Sequence, residues 1–195
     1  MGNRDDLLDG AKRCLYEKGY VNTTARDIAA ASGVSLAAIG YHFGSKETLM
    51  NEALMKATEE WGEELGRALT PDAGAEIGTE IGATGRFAAV WDRIIESVST
   101  HRRLWTTQFE LVALSEQSPE LRELFAKGNR AARLGLAVIF QGLDPSEDEP
   151  KALAVGAFYQ SVLTGVIAQW LTDPDTAPSG DDLATALRTV AATLA

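Results

Sequence analysis

Within one short stretch, from Thr24 to Lys46, the chain starts a helix three times, and no other feature constrains its fold as tightly. Thr24-Ala25-Arg26-Asp27 has the form of a capping box, a hydroxyl before the first turn answered by a carboxylate at its third position. Ser32-Gly33 then interrupts the helix, because glycine takes the left-handed conformation without a Cβ penalty. Ser35 is placed to cap the next helix, and Gly44-Ser45 to break and restart the chain once more. The spacing predicts a first helix over about Arg4–Lys18, ended by Gly19, and a second from Thr24 to about Ala31. A third runs from Ser35 to Tyr41 or Phe43, and a long fourth from Lys46 to about Leu69. Leu7, Leu8, Ala11 and Leu15 give the first helix one apolar face.

Two short helices joined at Ala29 and Gly33, with Ile28, Val34 and Ile39 facing inward, make a helix-turn-helix: a small residue permits close approach and a glycine makes the turn. The third helix would then lie in a DNA major groove with its N-terminal residues at base edges, which assigns Leu36, Ala37, Ala38 and Tyr41 to that task. Phosphates would be met by Thr24 and Ser35 at helix starts, by Arg26 on the second helix, by Tyr41 and His42, and by Lys46 at the first turn of the fourth helix. Taken singly these residues are ordinary caps and surface groups. Their combination carries the assignment.

That combination, Thr23-Thr24-Ala25-Arg26-Asp27-Ile28-Ala29, Ser32-Gly33-Val34-Ser35 and Tyr41-His42-Phe43-Gly44-Ser45-Lys46-Glu47-Thr48-Leu49, resembles the TetR/AcrR family of regulators over roughly residues 4–50. The resemblance implies an all-α homodimer of about nine helices that represses transcription. It further implies release from a double-stranded DNA operator when a small-molecule effector binds the C-terminal domain. Two departures stand out. Many members carry tyrosine where this chain has Gly40, and glycine where it has Ala37. Gly40 costs a helix about 1 kcal/mol against alanine, and the small-residue tip leans direct readout toward thymine methyls.

Charge sharpens the division of labour. The net charge is −10, yet residues 1–50 hold six Lys/Arg (Arg4, Lys12, Arg13, Lys18, Arg26, Lys46) against six Asp/Glu, so the excess lies in residues 51–195. We therefore expect a DNA-binding domain over 1–50 and a ligand-binding and dimerisation domain over 51–195. The single cysteine, Cys14, reads as a buried structural thiol, consistent with a cytoplasmic protein. The charged N-terminus lacks an apolar signal core, and Asp6 occupies the place where myristoylation requires Ser or Thr. The apolar run Ala152–Leu171 approaches the length of a membrane span. Gln160, Ser161, Thr164 and Gln169 interrupt it, so it reads as a buried helix with no membrane role.

Beyond Leu69, residues 70–85 are glycine-rich and read as a connector or weak helix. Gly-Lys-Ser/Thr after a strand is absent, which excludes a P-loop. Further helices are expected at about 86–100, 102–116, 119–142, 148–172 and 181–194. The helix at 152–171 is apolar nearly all round, and Leu183, Leu187, Val190 and Leu194 stripe the last one. The resemblance makes these two helices the homodimer interface, and a monomer would leave their apolar surface open. A ligand cavity is expected from Phe87, Trp91, Ile95, Trp105, Phe109, Phe125, Phe140 and Phe158, with Gln108, Asn129, Tyr159 and Gln160 as polar anchors. Aromatic residues at helical spacing are also ordinary core, so the set implies a mainly apolar or aromatic effector and nothing finer. Two histidines and one cysteine form no metal-ligand spacing, no cofactor is indicated, and no nucleophile–base pair supports an enzyme. His101-Arg102-Arg103 reads as a solvated basic corner. The competing class is an all-α dimeric small-molecule-binding or scaffold protein whose head has lost specific DNA readout.

Overall fold

The structure, a computed structural model, describes residues 2–69 and 82–194. Among these residues nine α-helices occur and no strand: α1 (Asn3–Lys18), α2 (Ala25–Ser32), α3 (Leu36–Phe43), α4 (Lys46–Leu69), α5 (Ala83–Thr100), α6 (Arg102–Leu114), α7 (Pro119–Gln141), α8 (Glu149–Thr172) and α9 (Gly180–Leu194). A short 3-10 turn, Ser115–Gln117, separates α6 from α7. The expected helices are present with ends shifted by a few residues. The expected connector falls mostly at 70–81, outside the described residues, and α5 begins already at Ala83.

The chain forms two compact units, Met1–Gly62 with Arg103–Gly128, and Glu63–Arg102 with Asn129–Ala195. In the first, α1 buries Leu7, Ala11, Cys14 and Leu15 on one face, while Leu8 is half-buried at its margin. Gly19, at φ 81°, ends the helix and its amide bonds the Leu15 carbonyl at 3.0 Å. Ile28, Ile39, Phe43, Leu49, Met50 and Leu54 complete this core. Cys14 is buried and free, and burial pushes its thiol above the ordinary range.

Tyr20 ties the loop after α1 to α4. Its ring is buried and its hydroxyl donates to Asn51 Oδ1 at 2.7 Å. Burial, with Glu47 adding to it, pushes its pKa up to about 12. The folded protein therefore keeps the phenol protonated where the unfolded chain, titrating near pH 10, releases the proton. Stability is unaffected below pH 10, falls as pH rises toward 12, and loses about 2 kcal/mol there. Urea unfolding at stepped pH is expected to show this fall. Tyr20→Phe should flatten it, and a profile identical in both proteins would contradict the assignment.

In the second unit, Trp91, Ile94 and Val98 of α5, Leu136 and Ala137 of α7, and Tyr159, Leu163, Val166 and Ile167 of α8 are buried. Helices α7 and α8 meet at Gly156, where a Cβ would stand 1.8 Å from the Arg133 carbonyl oxygen. The N-terminus of α9 docks on α5, the Gly180 amide donating to Asp92 Oδ1 at 2.8 Å. Among the described helices, α8 is long and apolar enough to cross a membrane by length and composition. One face buries Ala152, Gly156, Tyr159, Leu163, Val166 and Ile167 within the unit. Another carries Ala154, Phe158, Ser161 and Thr164 into the open.

Candidate DNA-binding interface

Helices α2 and α3 form the predicted motif by local chemistry. Thr24 caps α2: the Asp27 amide donates to its Oγ1 at 3.2 Å, and its own amide donates to Asp27 Oδ2 at 2.9 Å. Gly33 closes α2 at φ 70°, where a side chain would be strained, and its amide bonds the Ala29 carbonyl at 3.0 Å. Ser35 holds the N-cap position of α3 without the expected side-chain bond. Its backbone carbonyl accepts from the Ala38 amide at 3.0 Å instead. Ser45 does cap α4, accepting from the Thr48 amide at 3.0 Å.

Helix α3 buries only Ile39 and Phe43. Its other face is laid open: Tyr41 is 85% exposed, Leu36 49%, and Ala37 and Gly40 are exposed beside them. Ala38 and His42 are half-buried, and the His42 ring meets Tyr41 edge-on at 4.8 Å. Leaving a tyrosine and a leucine in water costs apolar burial that a core-packed helix would recover. Between them Ala37, Ala38 and Gly40 leave this face without long side chains.

The basic residues of the head are mostly occupied within the chain. Arg4 pairs with Glu52 at 2.5 Å and lies over the Phe43 ring. Lys12 bonds Glu60 at 2.7 Å, Arg13 donates to the Ala31 carbonyl, and Lys18 pairs with Asp27. Lys46 donates to the Thr23 carbonyl at 3.1 Å and sits over the Tyr20 ring, so in the free protein it clasps the loop before α2. Arg26, exposed on α2, has no partner among the described residues. Thr23, which the sequence reading passed over, is buried with its hydroxyl near the Gly19 (2.7 Å) and Cys14 (3.3 Å) carbonyls. A threonine doubled before a capping box was its only sequence signal.

The candidate effector residues divide between the units. In the first, Trp105 is buried edge-on to Trp61 at 4.6 Å, Gln108 donates to Thr58 Oγ1 at 2.9 Å, and Phe109 and Phe125 are half-buried. In the second, Phe140 stacks flat on Tyr159 at 4.2 Å and lies 5.2 Å from Trp91 and 5.9 Å from Phe87. Gln141 donates to the Tyr159 hydroxyl at 2.6 Å, and Gln160 bridges Arg133 and Asn129. Ile95 is half-buried and Phe158 is 51% exposed. The indole N–H groups of Trp91 and Trp105 are buried with no acceptor among the described residues, an arrangement that costs free energy unless something else supplies one. A separate groove of about 450 Å³ opens between the end of α4 and α5, lined by Glu64, Leu65, Arg93, Glu96 and His101 among others. Sequence reading had not found it. Of the expected basic corner, Arg102 and Arg103 are exposed, Arg102 donating to the Leu171 carbonyl over the Trp170 ring, while His101 is half-buried, 3.7 Å from Glu64. Among the described residues no group of three or more His, Cys, Asp and Glu is disposed to hold a metal.

An exposed reading helix set by a capped, glycine-turned neighbour defines a helix-turn-helix DNA-binding protein. Residues 7–53 match the family described as bacterial regulatory proteins, tetR family, and residues 82–193 match its tetracyclin repressor-like C-terminal domain. The chain belongs to the TetR family of bacterial transcriptional regulators. The AcnR repressor of Corynebacterium efficiens is 45% identical over 49 residues, 25% of this chain and 26% of that protein. The chain thus spans only about a quarter of the AcnR sequences it matches. The regulator TtgR of Pseudomonas putida is 26% identical over 181 residues, 88% of this chain and 81% of TtgR. Among solved structures, the multidrug binding protein EbrR complexed with imidazole aligns with a TM-score of 0.64 and 25% identity over 96% of this chain and 95% of its own. A transcriptional regulator from Streptomyces coelicolor aligns at 0.66 with 20% identity over 93% of each chain, a likeness of fold.

Proposed function

We propose that the protein is a cytoplasmic, homodimeric repressor that binds a pseudo-palindromic operator and is released by a mainly apolar or aromatic effector. Residues 1–50 are the DNA-binding domain and 51–195 the effector and dimerisation domain. The exposed face of α3 is the observation that carries this reading. Leu36, Ala37 and Ala38 read bases, Tyr41 and His42 flank them, and Thr24, Arg26, Ser35 and Lys46 border the phosphate path. No catalytic role is assigned. The candidate effector contacts are Phe87, Trp91, Ile95, Asn129 and Tyr159 in the second unit and Trp105, Gln108, Phe109 and Phe125 in the first, and an effector on either set carries a hydrogen-bond acceptor for the buried indole N–H there.

A mobility-shift assay with DNA from upstream of its own gene tests the head. A discrete shifted band, abolished by specific competitor and released by aromatic compounds that quench tryptophan fluorescence, is expected. Because five of the six head cations have partners within the chain, few counterions are displaced, and log affinity should fall only shallowly with log salt, with a slope of about −4 or less steep for the dimer. A slope near −10 would contradict this. The alternative, a scaffold without readout, is favoured by Gly40 and the neutral head. Selection from random DNA that yields no consensus would establish it.

The open faces of α8 and α9, where Phe158 and Val190 are 51% and 55% exposed, support dimerisation through these helices. That exposure supports assigning Phe158 to the dimer face in preference to a pocket wall. Small residues beside it, Ala154, Ser161 and Gly165, let a second helix approach closely. Phe158→Arg is expected to turn the dimer into a monomer in sedimentation velocity while leaving helicity unchanged, since a buried unpaired charge costs several kcal/mol. A dimer that survives the substitution would place the interface elsewhere.

A further inference from the structure

The pair Lys18–Asp27 lies beside the proposed DNA-facing residues without being one of them. Asp27 Oδ2 takes both protons that Thr24 can offer, the hydroxyl at 2.6 Å and the amide at 2.9 Å. Thr24 Oγ1 in turn accepts the Asp27 amide. A hydroxyl that has given its one proton to a carboxylate cannot also donate to a phosphate. Thr24 is thereby set as a cap, and the free donors at the start of α2 are the amides of Ala25 and Arg26 and the Arg26 guanidinium. The carboxylate that achieves this is an anion in the same turn as Arg26. Unopposed, it would repel the phosphate those donors are to meet. Its other oxygen, Oδ1, is held by the Lys18 ammonium from the last turn of α1. That ammonium, with the bonds from Thr24, keeps the carboxyl well below the usual range, so it is fully ionised at neutral pH.

We propose that Lys18 is a positioning residue for DNA binding: it cancels the charge of Asp27 so that the carboxylate can cap α2 and fix Thr24 without repelling the phosphate at Arg26. The inference rests on the head being a DNA reader, and Lys18 itself touches no DNA.

The test is operator affinity of the full-length protein by fluorescence anisotropy, with far-UV circular dichroism confirming the fold. Wild type must bind, and its failure to do so would sink the DNA-reading head rather than this proposal. At low salt Lys18→Gln is expected to weaken binding about tenfold for a dimer, about threefold per head, the size of one exposed charge interaction. Lys18→Arg should restore it. Asp27→Asn, which keeps an acceptor for Thr24, should bind at least as well as wild type, and adding Lys18→Gln to it should cost nothing further. Losses that simply add in the double variant would show that Lys18 acts on DNA directly. Salt supplies a second readout. Repulsion from an uncovered Asp27 is screened as the Debye length shortens, so the loss in Lys18→Gln should shrink at high salt, and Lys18→Gln in the Asp27→Asn background should show no salt-dependent loss. A salt-dependent loss that persists in that background, or an unchanged affinity of Lys18→Gln, overturns the proposal.

Discussion

Gly156→Ala is expected to lower the melting temperature by about 10 °C, although alanine is the better helix former by about 1 kcal/mol. The contest is decided at the crossing of α7 and α8. A Cβ at position 156 would lie 1.8 Å from the Arg133 carbonyl oxygen, 2.4 Å from its carbon and 2.7 Å from its Cα. All three are backbone atoms, so no side chain can swing aside and the helices must part by more than an ångström. Separation at this point loosens Tyr159 and Leu163 on α8 and Leu136 and Ala137 on α7, all now buried. It also disturbs the flat stacking of Phe140 on Tyr159. Overpacking of a well-filled core costs about 1–3 kcal/mol even when side chains can adjust, and here they cannot. We expect a net loss of about 3 kcal/mol, a large share of the 5–15 kcal/mol by which domains are stable. Gly135→Ala on α7, where a Cβ meets nothing within 4 Å, is the matched control and should melt slightly higher than wild type. If Gly156→Ala melts at or above wild type, the helices do not approach as described.

Gly156 also marks where sequence reading stops. In the sequence it is only a residue that disfavours helix inside an apolar run, and its purpose depends on a carbonyl on another helix. The turn chemistry of the head was legible for the opposite reason. Thr24 with Asp27, and Gly33 after Ser32, act within a few residues of themselves, so their spacing states their geometry. Ser35 shows the limit even there: its position at the cap was readable, but its side chain makes no cap bond. Lys46 shows a second limit. Its place in the first turn of α4 suggested a phosphate donor, while the structure gives its ammonium to the Thr23 carbonyl and the Tyr20 ring, residues far back in the chain. Phe158 of α8, expected as a cavity wall, is 51% exposed, but Phe87 and Trp91 of α5 and Phe140 of α7 were identifiable as inward-facing. Their pairing into one cluster about Phe140 was not, because it is set by how those helices cross. The groove beside Glu64 and His101 escaped for the same reason.

The second large effect separates stability from recognition. Leu36→Glu is expected to leave the melting temperature within a few degrees of wild type and to weaken operator binding at least a hundredfold. Leu36 is the first residue of α3 and about half-exposed, so its replacement forfeits only about 1 kcal/mol of apolar burial. A carboxylate in the first turn of a helix returns about 0.3–1 kcal/mol through the macrodipole. At the DNA surface the same carboxylate loses the apolar contact available to thymine methyls. It also brings a negative charge into the groove between two rows of phosphates, and a hundredfold loss asks for only about 2.7 kcal/mol, shared between the two heads of a dimer. Leu36→Gln divides the two causes. It keeps the length and polarity without the charge and should lose about tenfold, with little change on adding salt. The extra loss in Leu36→Glu is electrostatic and should shrink as ionic strength rises and the Debye length shortens. Anisotropy titrations of both variants at two salt concentrations measure each part. If Leu36→Glu binds within about threefold of wild type at low salt, the threshold of an ordinary exposed charge, the tip of α3 does not enter the groove.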